Sequence, residues 1–449
     1  MAEKTRRQKA IIRRRIFIVS TLAVLAICIT ALVFIIKAIN GAIKTNGNES
    51  SKSPASSITS SDGEKDTKPK IVSTATVVNT GDILVHNPVL WGAEKTTGNY
   101  DFSDFFKNAN SYFKKADLAV VNLEVTLGGT ESGKYNGYPN FNTPDSLIDT
   151  LKNDGFGLLL TANNHCYDTG LFGLKRTVQV LKNKKMDYVG TRETADEQSY
   201  IIKDVNGIKI GIACYTYENT SNTAGRKSIN GKIVAAEAND LINSFSYDKI
   251  DSFYNEAKDV IAKMKKQGAD CTVFYMHWGN EYKIKENEYQ RSIAQNLCNM
   301  GVDVIVGGHP HVIEPMALLH AEGGEHTTAC IYSVGNAISN QRKEILTEES
   351  PTGHCEDGML FFYTFDKYSD GTTVLSGVDI VPTWVDKYKG GAGYLYSMIP
   401  LENPTDGQKF GLSAQTVQNA QKSYERTAAI VASGLTECQK YFGCKVRFE

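Results

Sequence analysis

The chain has 449 residues, 41% of them hydrophobic, and 49 Lys and Arg stand against 50 Asp and Glu for a formal net charge of -1. That balance excludes a charge-driven nucleic-acid binder, and the apolar content excludes a disordered chain, because it suffices to bury a large core. The length exceeds one minimal domain; one large α/β domain with extensions fits it best.

Charge is placed unevenly along the chain. Residues 1–15 carry Lys4, Arg6, Arg7, Lys9, Arg13, Arg14 and Arg15 against Glu3 alone, and the uncharged apolar run Ile16–Ile36 follows. About 20 apolar residues take a helix across a bilayer, and basic flanks stay on the cytoplasmic side. The pattern predicts a cytoplasmic basic tail (1–15), one transmembrane helix (16–37) and a single-pass plasma-membrane protein whose main domain is extracellular. A buried core helix would not need so unbroken a run. A cleavable signal peptide has a shorter apolar region and a small-x-small site, which Ala38-Ile39-Asn40-Gly41 matches poorly, so a retained anchor is expected. Residues 38–69, made of Ser, Thr, Asn, Gly and Lys with almost no apolar side chains, predict a flexible stalk.

Beyond the stalk, short β-rich apolar runs alternate with helical patterns. Strands are expected at Ile71–Val78, Leu118–Val121, Phe156–Leu160, Ile208–Tyr215, Thr272–Tyr275, Val302–Val306 and Ala329–Ser333. Helices are expected from Pro144 with Thr143 as cap, from Gly170 through Leu181, and across 250–264. In the last of these Ile250, Phe253, Tyr254, Ala257, Val260, Ile261 and Met264 mark one face. Residues Met359–Pro400 carry strand-like runs with no long helix between them and suggest a second sheet; a helix at Ser413–Ala432 follows. The expected organisation is an α/β domain at 70–400 and a C-terminal helical extension at 401–449.

Of nine cysteines, Cys28 lies in the apolar span. The others sit mostly in apolar strand or helix patterns, where a buried free thiol is the common outcome; Cys438 and Cys444 alone look like a local disulfide pair.

The chemistry-bearing residues cluster at strand exits. Thr80-Gly81-Asp82 ends the first strand, with His86 four residues on, and Val121-Asn122-Leu123-Glu124 repeats the geometry. Ala162-Asn163-Asn164-His165-Cys166-Tyr167-Asp168 adds an amide, an imidazole able to bind metal or protonate a leaving group, and a carboxylate able to fix its tautomer. His277-Trp278-Gly279 follows another apolar strand. Gly308-His309-Pro310-His311 holds two imidazoles around a proline, suited to one metal or shared between two. Imidazoles and carboxylates bind divalent cations at neutral pH, and loops at the carboxyl ends of neighbouring strands bring remote segments together. Tyr332-Ser333-Val334-Gly335-Asn336 could line the pocket without ligating metal; the aromatic and amide loop Tyr138-Pro139-Asn140-Phe141-Asn142-Thr143-Pro144 suits either holding a polar chain or ordinary packing, and His320, His326 and His354 read as surface residues.

These segments resemble the CapA family of capsule-synthesis proteins, called PgsA in poly-γ-glutamate producers, which is similar to calcineurin-like metallophosphoesterases. The matching residues are Gly81-Asp82, Asn122-Leu123-Glu124, Ala162-Asn163-Asn164-His165 with Asp168 and Gly170, His277-Trp278-Gly279 with Glu281, Gly308-His309-Pro310-His311, and Tyr332-Ser333 with Gly335-Asn336. The resemblance implies a four-layer sandwich of two mixed β-sheets flanked by helices, with one or two divalent metal ions (Mn, Fe, Zn or Ca). It implies Asp82, Glu124, Asn164, His277, His309 and His311 as ligands, His86 as a further one, His165 as proton donor and Asp168 as its orienting partner. Metallophosphoesterases carry Asp-x-His in the first motif and Asp in the second; here Asp82 and His86 are further apart and the second acid is Glu124.

Two functions follow from this reading. One is metal-dependent hydrolysis, with water activated by the metal and His165 assisting the leaving group. The other is a non-catalytic, metal-dependent subunit that binds an anionic polymer within a membrane complex, in contact with polymer synthase subunits.

Overall fold

The structure is a computed structural model that describes residues 68–219, 226–390 and 393–448. The basic tail, the membrane span and nearly all of the stalk therefore lie outside the described residues. Among those described, no helix is long and apolar enough to cross a membrane.

The chain builds one sheet, crosses to a second, and returns to the first. The opening block runs β1 (Ile71–Ile83), α1 (Asn87–Ala93), a small hairpin of β2 (Glu94–Thr96) and β3 (Asn99–Tyr100), α2 (Asn110–Lys115), β4 (Leu118–Leu123), α3 (Ser146–Asp154), β5 (Leu158–Leu160), α4 (Gly170–Asn183) and β6 (Asp187–Val189). The middle block runs β7 (Tyr200–Val205), β8 (Ile208–Tyr217), a hairpin of β9 (Ser228–Ile229) and β10 (Lys232–Ile233), β11 (Ser244–Phe245), α5 (Ile250–Lys266), β12 (Cys271–His277), α6 (Glu288–Asn299), β13 (Val304–Gly308), β14 (Met316–His320) and β15 (Thr327–Ile331). The closing block is β16 (Asn336–Ile338), β17 (Asp357–Tyr368), β18 (Thr373–Gly390), β19 (Gly393–Pro400) and α7 (Ala414–Tyr441).

The first sheet has strand order β19-β18-β17-β1-β4-β5-β6, with β16 beside the end of β1; the second has β11-β8-β12-β13-β15-β14, with β7 beside β8. Both are mixed: β1, β4, β5 and β6 are parallel while β17 to β19 run antiparallel, and β8, β12, β13 and β15 are parallel while β7 and β14 are antiparallel. Period-2 alternation decides the layering. Ala75 and Val77 of β1 join Ile210, Ile212, Val273 and Tyr275 between the sheets, whereas Val78, Ala119 and Val121 face α2 and α3 through Phe113, Leu147 and Leu151. On the outer face of the second sheet, Phe253, Ala257, Val260, Ile261 and Met264 of α5 pack with Ile293 and Leu297 of α6. The layers are helices, sheet, sheet, helices.

Every predicted strand is present, and the differences are local. Met359–Pro400 does not form a second sheet. Its strands extend the first, with β17 antiparallel to β1 from Ile71↔Tyr368 to Asn79↔Phe361. The free flank of β1 needs a partner, and β17 supplies Phe361, Tyr363 and Phe365 to the same inter-sheet core that β1 faces. Helix α3 begins at Ser146, two residues after the expected start. The Asp145 carboxylate is held by Arg176 at 2.8 and 3.0 Å instead of capping, and Thr143 N–H is held by the Thr126 carbonyl. Helix α7, expected over Ser413–Ala432, starts at Ala414 with Ser413 as its cap and runs to Tyr441, past Gly434, where a Cβ would lie 1.8 Å from the Met316 carbonyl oxygen. Its Val431, Leu435 and Cys438 complete the inter-sheet core. Cys438 and Cys444 are both free, because the first points into that core and the second approaches the Ser376 carbonyl of β18 at 3.7 Å.

Candidate metal centre

The site forms where β1, β4, β12 and β13 end. The register of β1 against β4 slips between Thr80 and Asp82, a bulge that re-aims the following side chain. Gly81 makes it possible, since a Cβ there would lie 1.9 Å from the Gly335 carbonyl oxygen. Glu124 follows β4 and is fully buried; β12 ends on His277 itself. After β13, His309 (φ 94°) and His311 (φ 57°) both adopt left-handed backbone, which costs a non-glycine residue roughly 1–3 kcal/mol and is characteristic of functional sites. The bend is held by His309 N–H donating to Asp82 Oδ2 at 3.1 Å and Tyr282 N–H donating to the Pro310 carbonyl at 2.8 Å.

Five predicted side chains converge. Glu124 Oε1 lies 3.5 Å from His277 Nε2 and 3.7 Å from His311 Nε2, and Asp82 Oδ2 lies 3.3 Å from His311 Nδ1. The ligand atoms of Glu124, His309 and His311, and those of Asp82, Glu124 and His277, form two groups sharing Glu124, each with all its atoms within 4.8 Å of one another. Asn164 stands alongside, its Oδ1 2.9 Å from His277 Nε2. An amide mesh behind them fixes the acids: Asn122 Nδ2 donates to Asp82 Oδ1 at 2.8 Å and to Glu124 Oε2 at 3.3 Å, and Asn163 Nδ2 donates to Asn122 Oδ1 at 3.0 Å. Asn336 Oδ1 lies 3.2 Å from His311 Nδ1.

The electrostatics suit a cation. Burial pushes His277 down to about 3, and burial with the neighbouring His277 and His311 pushes His309 in the same direction, so both rings offer lone pairs at neutral pH. Burial raises the Asp82 carboxyl, but the hydrogen bond from His311 and the neighbouring imidazoles outweigh it and the acid is held below its ordinary value. Burial and then the Asp82 charge push Glu124 well above its ordinary range. Glu124 Oε1 and His309 Nδ1 are buried with no hydrogen-bond partner among the described residues. Two buried acids among imidazoles and amides, with no Lys or Arg partner among the described residues and two unpartnered ligand atoms, fit a divalent cation.

His165 lies beside this group. Its Nδ1 is 2.8 Å from Asp168 Oδ2, which also accepts the Phe141 N–H at 2.7 Å, and the Phe141 ring meets the imidazole edge-on at 4.7 Å. His86 joins neither donor group: its Nδ1 is 3.3 Å from the Leu84 carbonyl, and burial pushes its pKa down to about 3. His86 instead shares with His165, His311, Tyr138 and Tyr282 the wall of a cavity of about 400 Å³. His320 is exposed, while His326 and His354 are half-buried, against the Val302 carbonyl (2.9 Å) and Asp357 (3.8 Å); none reaches the donor groups.

Two residues had no signal in the sequence reading. Asn230, at the tip of the β9–β10 hairpin with φ 47°, places Nδ2 3.3 Å from His165 Nδ1, and Lys232 donates to the Asp168 carbonyl at 2.5 Å. Asn230-Gly231 marks a two-residue turn, but nothing local says that it lands on a histidine 65 residues earlier.

The family model for bacterial capsule synthesis proteins, PGA_cap, matches residues 76–341, which include every one of these donors and the His165–Asp168 pair. This chain belongs to the PGA_cap family. Among PGA_cap-type relatives it is 27% identical over 270 residues to "Capsule biosynthesis protein CapA" of Bacillus anthracis, covering 59% of this chain and 60% of that protein. It is 28% identical over 264 residues to "PGA biosynthesis protein CapA" of Bacillus subtilis (strain 168), covering 58% and 62%. The chain thus spans about three fifths of the length of the curated relatives it matches. The mixed sheets and flanking helices are consistent with a metallophosphoesterase-like domain for this PGA_cap protein.

Proposed function

We propose that this chain is a membrane-anchored, outward-facing component of capsule or poly-γ-glutamate synthesis or export, and that its metal centre supports hydrolysis of a bond in the anionic polymer or a precursor. The observation carrying the chemistry is the convergence of Asp82, Glu124, His277, His309 and His311, with two orphaned donor atoms, beside the His165–Asp168 pair and an open cavity. The printed names of the two Bacillus relatives support the polymer setting. The basic flank and apolar run at 1–37 support the anchor and its orientation.

A divalent cation held by Glu124 with His309 and His311, or with Asp82 and His277, supplies a Lewis acid toward a carbonyl or phosphoryl oxygen. Asn122 and Asn163 hold the two carboxylates in place. Asp168 fixes the His165 ring through Nδ1, which leaves Nε2 to give a proton to a leaving group in the cavity. Asn230 and Lys232 close over that pair from the hairpin.

The test is to purify the protein, measure bound metal, and assay phosphodiester and peptide-like substrates with Mn, Fe, Zn or Ca. Expected are bound metal lost in His309→Ala, and turnover that falls by about 10²–10⁴ in His165→Ala with metal retained. Metal bound without turnover on any substrate, together with polymer production intact in His165→Ala, would leave a non-catalytic, metal-dependent polymer-binding subunit.

A further inference from the structure

Asn79 lies on β1, three residues before Asp82, on the face that Ala75 and Val77 turn toward the inter-sheet core. It is 1% exposed, and neither its Oδ1 nor its Nδ2 has a hydrogen-bond partner among the described residues. An amide unpaired on both atoms among apolar groups is strongly unfavourable, and such cases in native proteins usually have a ligand or solvent molecule behind them. A void of about 20 Å³ adjoins it, lined also by Asp82, His277, Tyr275 and Cys214. One water needs about 10–15 Å³ of such space and two to four polar partners. The Asn79 amide supplies a donor and an acceptor, and the Asp82 carboxylate supplies further acceptor capacity beyond what Asn122, His309 and His311 use.

We propose that this void is a one-water site and that the water ties Asn79 to the Asp82 carboxylate from behind, which makes Asn79 a positioning residue for the metal centre. The affinity part of this inference rests on the metal reading above; the water site does not. An apolar residue would fill the space between the sheets at lower cost, so the amide at this position serves the carboxylate and not the packing.

The experiment uses the full-length chain with Asn79→Leu and Asn79→Ser. In crystals of the metal-free wild type, an ordered water is expected within hydrogen-bond reach of both Asn79 and Asp82, and it is absent in Asn79→Leu. Metal-free Asn79→Leu keeps or raises the melting temperature, while its affinity for Mn or Zn falls about tenfold, the lower end of the range for groups that orient metal ligands. Asn79→Ser keeps a hydroxyl and room for solvent, so its affinity stays closer to wild type than that of Asn79→Leu; it also covers the case in which the leucine variant does not fold. A dry void in the wild type overturns the water site. Equal affinities in wild type, Asn79→Leu and Asn79→Ser overturn the positioning role. A wild type that takes up no metal at all overturns the metal reading instead, and the crystallographic water alone then decides this inference.

Discussion

Two pairs of buried acids in this fold are completed in opposite ways. Where β17 begins, Glu356 meets Arg342 at 3.0 Å and accepts the Trp384 indole N–H at 3.1 Å, and Asp357 is gripped by both ends of the Arg426 guanidinium at 2.6 and 2.7 Å. Where β1 and β4 end, Asp82 and Glu124 meet imidazoles, amides and each other, with no Lys or Arg partner among the described residues. The first pair is neutralised by the protein's own arginines and locks α7 and the segment after β16 onto β17. The second is left in a form that could hold an ion. Burial of acids is therefore no sign of function by itself; the missing counter-charge is. A third solution is Glu314: also fully buried, it meets neither a cation nor a candidate metal group among the described residues, accepts a hydrogen bond from Gln290 at 2.6 Å, and is pushed by burial up to about 8, so it keeps its proton at neutral pH.

The contrast can be broken most forcefully at the arginine lock. Arg426→Ala strands the Asp357 charge, and urea denaturation should show a loss of about 3–5 kcal/mol, with metal content per folded molecule unchanged. A smaller loss than about 1 kcal/mol would mean that the pair is not a lock. Next, Glu124→Gln should lower metal affinity by about a hundredfold, about 2.7 kcal/mol, while leaving the metal-free melting temperature equal or higher, because an unpaired buried acid has gone. Isothermal titration and calorimetry measure the two. Chelation sharpens this further. At an ion concentration about 100 times the wild-type Kd, stripping the metal should cost wild type roughly 2.7 kcal/mol, cost Arg426→Ala the same, and cost Glu124→Gln only about 0.4 kcal/mol. The remaining test, independent of the metal, is a pH dependence. The Glu314 carboxyl binds its proton more tightly folded than unfolded, so its contribution to stability falls as pH rises from about 4.5 to about 8 and is level above that. Glu314→Gln should flatten this part of the melting-temperature profile; an unchanged slope would show that another group is responsible.

The candidate metal donors were legible in the sequence because each ends an apolar strand, and a parallel α/β sheet gathers such ends in one place. Asp82, Glu124, His277 and the His309–His311 pair all follow that rule, and the structure brings them together. His86 also follows a strand, but helix α1 turns it against Leu84 and Phe141 and away from the donor groups. What was not legible depends on partners distant in the chain. Alternation in 359–400 announces strands and their faces but not that β17 pairs with β1, hence the mistaken second sheet. Asn79 reads as an ordinary strand-end polar residue until the second sheet is laid over it. Thr143 looks like a helix cap until the Thr126 carbonyl takes its N–H and the helix starts at Ser146.

The antiparallel return onto β1 also sets the boundaries for anyone trimming this protein. The segment matched by the family model stops at 341, yet a chain ending there would bare the flank of β1 from Ile71 to Asn79 and lose Arg426 along with α7. An exposed edge of that length recruits other strands and drives aggregation. A shortened version that begins near Lys70 must run through Tyr441 to keep that edge covered, even though every candidate metal ligand lies before 312.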